Sequence, residues 1–286
     1  MVQNNPDYDT EEPVKEKGPV ALFFLRGWSN LVRLMGTNAL LVIFNIPCIV
    51  LSVFLSFVFV PLIAPLFIDL ESYIDPVTGS DAAVLELFIL LVFFSVNLLV
   101  SGSLICIGPF QTGFAQVYKD IRNGNSVSFL TSFRSGLKTG WKKGIAAMII
   151  GFVITPVLLL AVSFYFTLNT GVGTAIGVVF SILLVAFILV QNFVYTMIIT
   201  TDLKLAKIYK NAVIFLFVRA LPCLGAALIV IIFYFIIPFI LLMSASYMTL
   251  GIFIFLYSFI TVSWVQYFLS SFCMDLVERY VADGEA

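Results

Sequence analysis

Long uncharged stretches alternate with short charged ones along this chain. Residues 34–68, 87–118, 144–201 and 220–274 contain no Asp, Glu, Lys or Arg. A membrane-spanning helix needs about 20 mostly apolar residues, so the first two stretches hold one span each and the last two hold two each. The first of the longer pair turns at Asn169-Thr170-Gly171-Val172-Gly173, and the second near Ser244-Ala245-Ser246. The pattern predicts an all-α, polytopic membrane bundle of about six transmembrane helices, at roughly 37–64, 86–108, 145–168, 174–200, 221–243 and 248–273. One membrane domain then covers 20–280, between an acidic, disordered cytoplasmic tail at 1–19 and a short C-terminal tail at 281–286.

A second pattern occupies the charged segment before the third span. Phe129, Phe133, Leu137 and Trp141 recur every four residues, and Arg134, Lys138 and Lys142 recur beside them. That spacing puts the two sets on adjoining faces of one helix. Aromatic and basic faces side by side suit a cytoplasmic interfacial amphipathic helix, with the lipid bilayer or a partner protein as its contact. Gly136, Gly140 and Gly144 lie on an overlapping face. Interior glycines weaken a helix by roughly 1 kcal/mol each, so three in register predict close packing against a neighbouring helix. An offset of 108 places Arg26 on Arg134 and Gly36 on Gly144, as a repeated insertion unit would.

The basic residues set the orientation. Segments 109–143 and 201–220 are rich in Lys and Arg, while 65–85, 169–173 and 244–247 contain none. By the positive-inside rule both basic segments and both termini are cytoplasmic in a plasma-membrane protein. Composition agrees: 61% of residues are hydrophobic and 11% charged, against about 25% charged in soluble domains. The net charge of −1 and the lack of any His argue against nucleic-acid binding and imidazole chemistry. Residues 1–19 carry mixed, mainly acidic charges with no basic region before an apolar core, so they do not read as a cleavable signal peptide.

No span carries an ionisable residue at mid-depth, where coupled transporters place them. The polar residues within spans include Asn45 and Gln266, with Asn97, Gln191 and Asn192 as the candidate solute path. The overlapping SxxK and KTG strings at Ser135–Gly140 fall within six residues and cannot form the two converging elements of a penicillin-binding site. Asp69, Glu71, Asp75 and Asp81 lack calcium-loop spacing. The cysteines, Cys48, Cys106, Cys223 and Cys273, form no CxxC pair and read as reduced packing residues. The residues therefore predict no enzyme, no metal site and no cofactor.

Gly108-Pro109-Phe110-Gln111-Thr112-Gly113-Phe114 is followed by Lys119 to Arg122, by Ser128-Phe129 and Phe133-Arg134, and then by Lys138 and Trp141. This series resembles the central signature of the YesL-like bacterial membrane proteins. Thr201-Asp202-Leu203-Lys204 with Lys210-Asn211-Ala212 is similar to that family's second cytoplasmic segment, and the resemblance runs over roughly 22–275. It implies a bacterial plasma-membrane protein without established catalysis, associated with carbohydrate uptake as an accessory or scaffold of a membrane permease complex. A small uncoupled transporter or channel for a neutral solute is the alternative.

Overall fold

The computed structural model describes residues 19–68, 80–103, 107–125, 128–243 and 247–280. The two predicted tails, the turn at 244–246, Cys106 and most of the acidic loop between the first two spans lie outside the described residues, apart from Pro19 at the edge of the first tail. Every regular element among the described residues is helical. In order they are α1 (Pro19–Ser29), α2 (Leu31–Phe44), α3 (Ile46–Ile68), α4 (Ser80–Ser101), α5 (Gly108–Asn123), α6 (Phe129–Thr167) and α7 (Gly171–Thr200). There follow α8 (Leu205–Val218), α9 (Ala220–Ile231), a π-helical turn (Ile232–Ile236), α10 (Ile237–Met243), α11 (Tyr247–Phe259) and α12 (Thr261–Tyr280).

The all-α class is as predicted, but the count of six spans is not. Among the described residues three helices are long and apolar enough to cross a membrane: Phe129–Thr167, Gly171–Thr200 and Ala220–Leu242. Two bent pairs raise the number to five, α2 with α3 at 54° and α11 with α12 at 43°. The remaining predicted span, 86–108, is represented by the shorter apolar segment Leu91–Val100 of α4. Hydropathy does not register such breaks, because the residues that make them are uncharged. At the first bend, Pro47 lacks an N–H and disfavours helical geometry at the residue before it. Asn45 sits at the corner, buried, and its Nδ2 donates to the Leu41 carbonyl at 2.7 Å.

The turn between the third and fourth spans falls where the sequence places it. α6 ends at Thr167, Asn169 takes a left-handed conformation (φ 49°), and the Thr170 hydroxyl accepts from the Gly173 N–H at 3.0 Å to cap α7. The basic leader and the third span are one continuous helix, α6. The leader before the first span is instead a separate helix, α1. The positions paired by the 108-residue offset also differ in surroundings. Gly144 packs on the backbone of α5, whereas a Cβ on Gly36 would meet nothing within 4 Å.

The surface carries many large apolar side chains, and several amides are buried within an otherwise apolar core. Phe152, Val157, Leu160 and Phe164 of α6, Ile182 of α7 and Leu221, Leu224 and Leu228 of α9 are exposed. Asn38, Asn97, Gln111, Gln191, Asn192 and Gln266 are buried. Exposed apolar surface on this scale marks contact with something other than water, and the helix lengths identify it as lipid. The protein is a polytopic helical membrane protein.

Two breaks inside the bundle explain several of the buried polar residues. Pro238 has no N–H, so carbonyls about one turn before it lose their donor. The Tyr257 hydroxyl donates to the Phe233 carbonyl, and Asn97 Nδ2 donates to the Tyr234 carbonyl at 2.7 Å. At the α11–α12 bend, Asn38 donates to the Tyr257 carbonyl and accepts from the Ser263 N–H, both at 2.7 Å. In hydrocarbon no water is present to satisfy such groups, so side chains from other helices do so.

Candidate functional site

Arg26, Lys119, Arg122 and Arg219 are held by contacts that join α1, α5, α7 and α12. Pro109 at the start of α5 and Gly124 after its end (φ 73°, left-handed) fix the length of this short helix. Along it Phe114, Val117, Tyr118 and Ile121 are buried, which places Arg122 at its last turn toward α12. Arg122 grips Glu278 with both terminal nitrogens, at 2.6 and 2.8 Å, and also pairs with Asp275. Arg26 of α1 donates to the Arg122 carbonyl. Lys119 donates to the Ile199 carbonyl at 3.1 Å, a cation at the negative end of α7. The Arg219 guanidinium stacks over the Tyr280 ring, 5.2 Å from its centroid.

The Arg122 clamp sets a pH dependence. The hydrogen bond from Arg122 holds the Glu278 carboxyl below its usual range, and the same carboxylate raises Arg122. A depressed carboxyl contributes stability above its unfolded pKa of about 4.3 and loses it as pH falls through the lower folded value. The melting temperature of Arg122→Gln is therefore expected to lie below wild type at pH 7, with the gap closing below about pH 4. Because Glu278 is exposed, the gap is small. A gap independent of pH would refute the assignment.

The segment 129–144 is where the structure most changes the sequence reading. Arg134, Lys138 and Lys142 are exposed, as expected of an interfacial face, and Trp141 is 47% exposed. Phe133, expected on the same lipid-facing side, turns inward instead. Its ring stacks near Phe44, Phe110 and Phe129 and tilts against Phe114 at 5.1 Å. The reason is Gly113: a Cβ there would come within 2.7 Å of the Phe133 ring, so glycine opens the slot that Phe133 fills. Gly136, Gly140 and Gly144 of α6 meet α5 directly. A Cβ on Gly136 would lie 2.5 Å from the Thr112 carbonyl oxygen, and one on Gly140 2.5 Å from the Thr112 side chain. One on Gly144 would lie 2.9 Å from the Gly108 oxygen.

The exposed basic face makes its own prediction. Each Lys near an anionic surface contributes about 1 kcal/mol. The double variant Lys138→Glu, Lys142→Glu is expected to reduce enrichment of anionic lipid around the reconstituted protein, with the difference shrinking as salt rises. Enrichment that is equal in both proteins, or unaffected by salt, would exclude this face as an anionic-lipid contact.

The amides proposed as a solute path are held between helices. Asn97 serves the break at Pro238, as described. Gln191 donates to the Ala147 carbonyl and accepts from the Tyr209 hydroxyl, both at 2.9 Å. Asn192 Nδ2 donates to the Ile188 and Gly102 carbonyls, at 2.8 and 3.2 Å. Sequence reasoning missed a further cluster at the centre. Gln266 Nε2 donates to Ser103 Oγ at 2.7 Å, and Gln266 Oε1 accepts from Gln111 at 3.0 Å and from the Tyr118 hydroxyl at 3.2 Å. The available signal was the helical spacing of Phe110, Phe114, Val117, Tyr118 and Ile121, which marks 108–123 as a buried helix rather than a loop.

A cavity of about 760 Å³ opens beside this charged end, between α1 and α12, with Arg26 and Asp275 at its charged side and Phe23, Phe268 and Phe272 along its wall. Asn97, Gln191 and Asn192 do not line it. The three free cysteines described, Cys48, Cys223 and Cys273, are buried. Among the described residues no group of three or more Asp, Glu, Cys or His could hold a metal ion. No family model, curated protein or solved structure matches the chain.

Proposed function

We propose that the protein is a non-enzymatic accessory or scaffold of the bacterial plasma membrane, related to the YesL-like proteins and serving a carbohydrate-uptake permease. The observation that supports this reading is a contrast in how polar groups are used. Asn97, Gln191 and Asn192 are engaged in bonds to other segments of the bundle, while Arg134, Lys138 and Lys142 form an exposed basic face on a helix packed closely on α5. A rigid helix whose cations have no ion-pair partner among the described residues suits recognition of an acidic protein surface at the membrane. With the termini and basic end cytoplasmic, the partner surface is the cytoplasmic side of an integral membrane protein.

Co-purification in mild detergent tests the reading. A permease subunit is expected to accompany the protein in fixed ratio, and removal of the protein is expected to lower uptake of one carbohydrate. Purification as a single species from cells whose uptake is unchanged by its loss would overturn it. The alternative, a facilitator for a neutral solute, draws on the bends of 54° and 43°, since discontinuous helices commonly surround transport sites. Solute flux in proteoliposomes containing this protein alone would favour that alternative.

A further inference from the structure

We infer that the cavity between α1 and α12 is a binding site for one glycerophospholipid with a zwitterionic phosphoethanolamine head. The inference is independent of the partner reading above. It rests on the order of chemical groups along one stripe of α12. Tyr267, Ser271 and Asp275 are spaced by four residues and all line the cavity. Four residues advance a helix by about 6 Å, so carboxylate and hydroxyls descend from the charged end of the bundle toward its apolar middle. Phe268 and Phe272 run beside them on the neighbouring stripe, stacked on each other.

Each group has unused capacity that matches one part of such a lipid. Arg26 forms no ion pair among the described residues. One terminal nitrogen donates to the Arg122 carbonyl, leaving Nε and Nη2 for a phosphate. Asp275 gives only Oδ1 to Arg122 and its side chain is half exposed, so Oδ2 is available to an ammonium group. A carboxylate there disfavours a purely anionic head, because a like charge brought close is repelled. Deeper in, the Tyr267 hydroxyl and Ser271 Oγ are buried, adjacent to each other and without another polar partner. Tyr267 is fully buried. The aromatic wall suits the upper part of an acyl chain. The volume, about 760 Å³, falls in the range of about 300–1,000 Å³ for ligand sites. The remainder of the chains leaves past Phe24, which is 59% exposed.

Native mass spectrometry of the full-length protein, titrated with phosphatidylethanolamine, phosphatidylglycerol or inorganic phosphate, tests this. One phosphatidylethanolamine is expected to bind per chain and to resist exchange for phosphatidylglycerol, while phosphate alone displaces neither. Asp275→Asn is expected to erase the preference, an effect of about ten-fold for one charge-assisted bond. In that variant Glu278 still holds Arg122, so the fold is retained, and a melting curve verifies this. Arg26→Gln is expected to weaken both lipids. Equal or tighter binding of phosphatidylglycerol at this cavity, read as the adduct lost in Arg26→Gln, displacement by phosphate, or an unchanged preference in folded Asp275→Asn would each overturn the assignment.

Discussion

Asn38→Leu is expected to lower the protein's stability by about 2–6 kcal/mol, since it strands two buried backbone groups at about 1–3 kcal/mol each. The groups are the Tyr257 carbonyl and the Ser263 N–H, both bonded to Asn38 at 2.7 Å. They flank the α11–α12 bend of 43°, where regular helical partners are lost. Asn38 has no exposed surface, and leucine of similar size fills its place without a donor or acceptor. Thermal melting in lipid nanodiscs checks this. A loss no larger than the ~0.6 kcal/mol typical of an interhelical hydrogen bond in membranes would show that the bend supports itself and that Asn38 is ordinary packing.

Gly140→Leu is expected to be strongly disruptive, because a side chain there has nowhere to go. Its Cβ would lie 2.5 Å from the Thr112 side chain, with Oγ1 and Cγ2 of the same residue at 2.5 and 2.6 Å. Thr112 is itself fixed, donating through its hydroxyl to the Pro109 and Gly136 carbonyls at 2.6 and 3.1 Å. Overpacking a rigid site costs about 1–3 kcal/mol or more, and here it would part α5 from α6 and free Phe133 from its slot. Gly225→Ala provides the contrast, since a Cβ on Gly225 meets nothing within 4 Å. A sharp fall in monodisperse protein for Gly140→Leu, with Gly225→Ala unaffected, is the expected result. Similar yields and melting temperatures for the two would show that α5 and α6 separate without consequence.

These two positions also show where sequence reasoning reaches and where it stops. The uncharged stretches located the apolar part of α6 (145–167), α7 and 220–242 closely, because hydropathy over about 20 residues reports transfer to lipid directly. The glycines of α6 announced tight packing through their helical spacing, though not the identity of α5 as the neighbour. Phe133 was misplaced because its inward turn depends on Gly113, a residue on another helix. Asn38 gives no local signal at all. Its partners lie more than 200 positions away in sequence, and an amide within an apolar run looks alike whether it bonds a bend, lines a path or faces a neighbour. Arg122 read as part of a positively charged loop, and only the fold brings Glu278 and Asp275 to it.

The same limitation applies to the cavity. Tyr267, Ser271 and Asp275 are visible as a four-residue series, but helical spacing alone does not distinguish a lined cavity from a packed seam. The meeting of α1 with α12, where Phe23 stacks on Tyr267 at 4.7 Å, makes one wall of the cavity and brings Arg26 opposite Asp275.

The central claim is that the exposed basic face of α6 contacts an integral membrane partner. Photo-crosslinking in the native membrane tests it most directly, with a crosslinking residue placed at Arg134, Lys138 or Lys142 and, for comparison, at the outward-facing Phe152 and Val157. Reproducible adducts of the three basic positions with one transporter subunit, absent from the two apolar positions, are predicted. Adducts confined to lipid or to a second copy of this chain would contradict the claim.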